Sequence, residues 1–271
     1  MRPLSAAGAA LLGAGCAAGL VTLDHRLPAP ARRALERTSF DGSAVTLAEG
    51  PAWVAATAIA AAAAGDATAL GCVLGSGAAG LVDDLVGDAG TKGVRGHLGA
   101  LRRGRVSTGS LKIVTIIGAA AWAARREAGG ERAWLLVDAG VIAGTANLLN
   151  LFDLRPGRAL KVGCLIGLPL LTRPAGRPAL AAGLGAGLGV LPHDLAGRSI
   201  LGDCGANALG SLLGLSAVRA LRPTTRAGVL GGVLALTLAS ERISFTRVIE
   251  ATPALRALDQ LGRSRPEGAK R

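Results

Sequence analysis

The sequence predicts an all-α, polytopic membrane bundle of about nine transmembrane helices, with the N-terminus outside and a cytoplasmic C-terminal tail. Three observations predict it. Half of the 271 residues are hydrophobic, and the mean hydropathy is +0.45. Charged residues are sparse and gather in short clusters between apolar runs, the profile of a chain that threads a bilayer repeatedly. The basic residues are also lopsided. Segments 24–50, 83–112, 151–161, 193–204 and 241–271 together hold 21 of the 30 Lys and Arg. One threading puts all five on the same side, and the positive-inside rule makes that side the cytoplasm.

The elements follow in order. Leu4 to Leu23 is the first span, too long and too weakly basic at its front for a cleaved signal. Asp24 to Gly50 is a polar loop. Pro51 opens the second span, at a helix start where its missing N–H costs nothing. Gly65 and Asp66 mark a tight outer turn, and a third span, about Thr68 to Val82, leads to Asp83. A basic loop through Gly109 precedes the fourth span, Ser110 to Ala124. The fifth runs from Ala133 to Leu149, the sixth ends at Leu171, and the seventh covers Pro178 to Leu191. The eighth spans about Ala206 to Leu221, and the ninth Gly228 to Ala239. Residues 1–240 thus read as one membrane domain with polar loops at 24–50, 83–109, 151–158 and 193–204; residues 241–271 read as a basic, partly amphipathic tail.

Composition excludes some classes. The net charge is +12, but there are only three Phe, three Trp and no Tyr. The basic residues lie in loops, so they read as topology signals and contacts for anionic lipid or phosphate, not as a nucleic-acid surface. Cys16, Cys72, Cys164 and Cys204 show no C-x-x-C spacing and read as small packing residues.

Three polar clusters share the cytoplasmic side. The first is GLVDDLVGD, with Asp83 and Asp84 at the mouth of a span and Asp88 one turn on. Close carboxylates repel and call for a cation: a metal, a basic side chain or a shared proton. The second is Asn147, Asn150 and Asp153, whose spacing keeps them within about 120° of one helix face. The third is His193 and Asp194 followed by Gly202, Asp203, Cys204 and Gly205, where glycines let backbone approach a phosphate or metal. Beside them runs a basic stretch with Lys92, Arg95, His97 and Lys112, suited to diphosphate or lipid phosphate. Each cluster alone also reads as helix capping or a solvated face. Three on one side suggest Mg²⁺ or Mn²⁺, since Mg²⁺ takes one or two carboxylates and completes its shell with water and phosphate.

GLVDDLVGD, KGVRGHLGALRRGRVSTGSLK, NLLNLFDLRPG and ILGDCGANALG, in that order, resemble motifs of the polyprenyl-phosphate N-acetylhexosamine-1-phosphate transferase superfamily. That superfamily includes the phospho-N-acetylmuramoyl-pentapeptide transferases of cell-wall synthesis. RTSFDGSAVTLAEGP is similar to its early loop before the second span. The resemblance implies a plasma-membrane enzyme that moves a sugar-1-phosphate from a UDP-N-acetyl sugar to a polyprenyl phosphate, releasing UMP. It implies catalytic roles for Asp83, Asp84 and Asp203, with Asp203 and Asp84 toward the metal. It implies substrate contacts for Lys92, Asn147, Asn150 and Asp153, and for Asp88 and His97 beside them. Membrane lipid is the further partner, and a homodimer is left open. The chain departs from the family where Asp153-Leu154-Arg155-Pro156-Gly157 lacks a second acid, and where the late segment 241–271 lacks histidine. The alternative expectations are a catalytically reduced relative that binds lipid phosphate as a scaffold, and a small transporter.

Overall fold

The computed structural model describes residues 4–38, 42, 44–87, 108–130 and 132–264. Over these described residues the fold is all-α, 78% helical with 12 α-helices. They are α1 (Ala6–Val21), α2 (Ala29–Leu35), α3 (Glu49–Ala63), α4 (Ala67–Val86), α5 (Thr108–Glu127), α6 (Leu135–Phe152), α7 (Arg158–Leu170), α8 (Arg177–Leu195), α9 (Gly202–Ala220), α10 (Pro223–Ser240), α11 (Phe245–Ala251) and α12 (Pro253–Gln260). The first polar loop also holds a short antiparallel ribbon, β1 (Glu36–Thr38) and β2 (Ala44–Thr46), with Arg37 opposite Val45. Strands of three residues are too short to show alternation in sequence.

Helix α9 is the centre. Every residue from Cys204 to Val218 is buried, and α9 packs against α3, α4, α6, α7 and α8. Small residues allow that closeness. A Cβ on Gly80 would land on the carbonyl of Asp203, and one on Gly50 would land on the carbonyl of Leu201. Inside the bundle, Ser76 pairs with Ser211 at 2.6 Å, and the Thr145 and Ser216 hydroxyls donate to the carbonyls of Val141 and Leu212. The perimeter is apolar: Leu11, Val114, Leu136, Leu165, Leu168 and Leu238 are all exposed. A core of small residues and paired hydroxyls inside an apolar rim suits a bundle that packs within lipid.

Two helices, α4 and α6, are long and apolar enough to cross a membrane. A third span arises if α10 and α11, bent by 94° at their junction, count as one. Helices α1, α3 and α7 are shorter, at 16, 15 and 13 residues, and α5 carries Lys112, Arg125, Arg126 and Glu127.

Successive long helices run antiparallel, so the bundle has two ends. At one end lie the start of α3, the end of α4, the start of α5, the end of α6 and the start of α9, which carry the sequence motifs. At the other, Asp66 caps α4 and pairs with Arg219 near the end of α9 at 2.6 Å. The motif end is reinforced by the ribbon. Thr46 bonds both ways with the segment before α9, from its N–H to the Arg198 carbonyl and from the Ile200 N–H to its own carbonyl, each at 3.1 Å.

Candidate functional site

Asp83 and Asp84 lie in the last turn of α4, which ends at Val86. Adjacent residues on a helix point about 100° apart, and the two carboxylates do different things. Asp84 reaches the N-terminus of α9. Its Oδ1 accepts the backbone N–H of Asp203 at 3.1 Å, and its Oδ2 accepts that of Cys204 at 2.9 Å. The first N–H groups of a helix have no partner within it and carry a partial positive charge. Asp84 supplies from a neighbouring helix the cap that a residue preceding α9 would otherwise give. The backbone of Asp84 is held in turn by the Arg37 guanidinium, which donates to its carbonyl.

Asp83 faces a cation. Lys112 Nζ donates to Asp83 Oδ2 at 2.6 Å and to Asp203 Oδ2 at 2.5 Å. Thr108 also hydrogen-bonds Asp83. Asp203 stands in the first turn of α9, where Gly202 adopts a left-handed φ of 61°. The Asp203 carbonyl accepts from Asn207 Nδ2 at 2.7 Å. Two carboxylates from α4 and α9, separated by 120 residues in sequence, thus converge on one ammonium from α5.

Behind this pair lies a second set of acids. Glu49 is fully buried; its Oε2 accepts the Ser199 hydroxyl at 2.6 Å, and its carboxyl meets that of Asp194. Asp194, also fully buried, accepts the Gly157 N–H at 2.7 Å. Asp153 caps the end of α6 and takes a hydrogen bond from the backbone of Gly202. Glu49 Oε1, Asp153 Oδ2 and Asp194 Oδ2 are buried oxygens with no hydrogen-bond donor among the described residues. Carboxyls at that proximity share protons. Burial, and after it the charge of Asp194, pushes the Asp153 carboxyl well above the usual carboxylate range.

The sequence-derived residues separate into three groups. Asp83, Asp84, Asp153 and Asp203 come together at the motif end. Asn147 turns away: it is exposed, and its Nδ2 donates to Thr237 of α10 at 3.3 Å. Asn150 is half-buried one turn before Asp153. Asp88, Lys92 and His97 lie outside the described residues. Glu49 and Arg37 are not among the sequence-derived site residues, and Lys112 reads there as part of the phosphate-binding stretch, not as the partner of Asp83 and Asp203. For Lys112 a signal existed: a lone lysine one turn into an apolar helix is costly unless it meets an acid.

The donor set can be tested against a metal. Among the described residues, no three His, Cys, Asp or Glu side chains are arranged to hold one. Asp83 and Asp203 do aim one oxygen each at a single point, now taken by the Lys112 ammonium. Two carboxylates would suit Mg²⁺ if phosphate and water completed its shell. Asp84 has both oxygens committed to backbone N–H groups, so it fits the role of holding α9 in place better than that of a ligand. The chain matches no family model and no curated protein sequence.

Proposed function

We propose that the protein is a membrane-bound glycosyl-1-phosphate transferase, acting at the cytoplasmic face on a UDP-N-acetyl sugar and a polyprenyl phosphate. The observation that carries this reading is the meeting of Asp83 and Asp203 on the Lys112 ammonium, with Asp84 locking the two helices together. Three motifs distant in sequence supply it, and all three belong to the ordered set that resembles the transferase superfamily. A nine-span bundle with the motif end inside accounts for the basic loops on the same side.

In this reading Asp83 and Asp203 would hold Mg²⁺. When bound, the metal would neutralise the diphosphate and polarise the phosphorus under attack. Lys112, displaced from between the two acids, would turn its charge toward the lipid phosphate or the departing UMP. Asp84 and Gly80 keep α4 and α9 in register, so that the two acids stay aligned. Asp153 and the helix start at Gly202 would face the sugar nucleotide. The bond formed joins the lipid phosphate oxygen to the sugar-bearing phosphorus; the bond broken is the UDP diphosphate linkage, with UMP leaving.

A second reading, the lipid-phosphate-binding scaffold, is favoured by one feature. The loop after Asp153 is clamped by the tail, with Arg155 paired to Glu250 at 3.0 Å. One assay separates the two: purified protein, undecaprenyl phosphate, Mg²⁺ and a panel of UDP-sugars, with UMP as the readout. UMP release that needs both the lipid and Mg²⁺ supports the transferase. Lipid binding with no UMP from any sugar sinks it in favour of the scaffold.

A further inference from the structure

Helix α12 is amphipathic, yet its leucines do not face the protein. On α12, Leu255 and Leu258 lie about 60° apart on one side, with Asp259 at the edge of that side, about 40° from Leu255. A surface helix in water turns its apolar side inward. Here the one residue turned inward is Asp259, while Leu255, Arg256 and Leu258 are exposed. Asp259 is buried against Arg158 at 2.7 Å, and its backbone carbonyl takes Lys161 Nζ at 2.7 Å. Burial alone would raise the Asp259 carboxyl; the Arg158 guanidinium overrides it and holds the group below the usual range. Leu255, Leu258 and Leu261 point away from the protein, 43%, 38% and 66% exposed, as do Ile243 and Val248.

Geometry says what covers that face. In the nine-span reading α10 is the last span, and at its motif end the chain turns by 94° into α11. A helix that leaves a span at a right angle runs along the bilayer surface, not away from it. Arg242, Arg247 and Arg256 are exposed along this stretch, the charge that an anionic leaflet attracts. An apolar side with arginines beside it, parallel to the membrane, is the arrangement of an interfacial helix.

We propose that α11 and α12 lie in the headgroup region of an anionic leaflet, and that this docking clamps the loop Asp153–Arg158. The coupling is physical. Arg155 pairs with Glu250, Arg158 with Asp259, Arg263 donates to the Pro156 carbonyl at 2.8 Å, and the Ser264 N–H donates to the Leu195 carbonyl at 3.0 Å. Lipid on one side of the tail therefore bears on the loop beneath the other. This holds whether or not the protein releases UMP.

The test uses the full chain in lipid nanodiscs, with Cys16→Ala and Cys164→Ala to remove the half-buried thiols and Leu258→Cys carrying a fluorophore. Shallow nitroxide-labelled lipid is expected to quench the fluorophore strongly, and aqueous iodide several-fold less. In the unlabelled native chain, changing phosphatidylcholine to phosphatidylglycerol is expected to slow hydrogen exchange in 153–158 and 253–260 by about tenfold. Arg247→Gln with Arg256→Gln should remove that lipid preference while nitroxide quenching persists. Iodide quenching that ignores the lipid, or self-quenching between two copies in one disc, would overturn the proposal by assigning the face to water, a soluble partner or a second chain.

Discussion

The two ends of the bundle handle charge in opposite ways. At the end away from the motifs, Asp66, Glu127 and Asp138 each meet an arginine. Asp66 and Glu127 share Arg219, at 2.6 and 2.7 Å, and Asp138 takes Arg226 at 2.8 Å. At the motif end, Asp83 and Asp203 share one lysine, Asp84 leans on backbone N–H groups, and Glu49, Asp153 and Asp194 each keep a buried oxygen without a donor. Ion pairs to arginine tie helices together and leave none of these three carboxylates without a cation partner. Unmatched acids hold negative potential that a bound cation or a proton must neutralise. The contrast separates structure from chemistry more sharply than the motifs do, because both ends are rich in Asp and Arg.

The largest test of that division is activity. Asp83→Asn and Asp203→Asn are each expected to lower UMP release by at least about 10²-fold, the scale of removing a group that handles transition-state charge. Both proteins should still fold, since an amide keeps the size of the side chain. Full turnover in Asp203→Asn would dissolve the distinction between the ends.

The converse change belongs at the other end. Arg219→Ala leaves Asp66 and Glu127 in a largely buried site without their cation. That is expected to cost roughly 3 kcal/mol of stability, read as a lower detergent-melting temperature. UMP release per folded molecule should be unchanged. A variant of normal stability would mean that water already screens this end, and that its pairs tie nothing.

Much of this was legible in the sequence, and the parts that were not share a cause. The all-α class follows from apolar runs, and the grouping of Asp83, Asp84 and Asp203 follows from motifs whose local spacing survives folding. The tight turn at Gly65 and Asp66 is present, with φ of 74° at Gly65 and Asp66 as the cap. What local pattern cannot show is which face meets which neighbour. Asn147 and Asp153 lie within one arc of α6, yet Asn147 meets Thr237 and Asp153 meets Gly202. Asp66 and Arg219 are 153 positions apart, and nothing near either announces the other. Glu49 read as one more loop residue. It is buried because Gly50 lets α3 touch the backbone of Leu201, a contact set by α9. Nine spans follow from counting apolar runs, whereas helices of 13 to 16 residues such as α7 and α1 fall short of the roughly 20 that a full crossing needs.

The close approach of α4 and α9 offers a smaller test. Gly80→Ala places a methyl against the Asp203 carbonyl, so the helices must separate. Overpacking of this kind costs roughly 1–3 kcal/mol. The shift also pulls Asp84 from the N–H groups of Asp203 and Cys204, so UMP release should fall together with stability. Gly118→Ala on α5, where an added Cβ meets nothing within 4 Å, should change neither. If Gly80→Ala melts early but works normally, then the alignment of Asp83 and Asp203 does not depend on that contact.

The smallest effect concerns the unmatched acids directly. The folded protein holds the Asp153 carboxyl above its unfolded value, first through burial and then through Asp194. Such a group binds more protons folded than unfolded, so stability falls as pH rises from about 4 toward the folded pKa and stays at the lower level beyond it. Asp153→Asn removes that loss and offers an amide donor where Oδ2 has none. The variant should therefore melt a few degrees above the wild type at pH 8, with the gap closing toward pH 4. A gap that does not change with pH would mean that Asp153 ionises without penalty. The acids at this end would then be neutralised by something other than protons, and the difference between the two ends would lie in which cation each one meets.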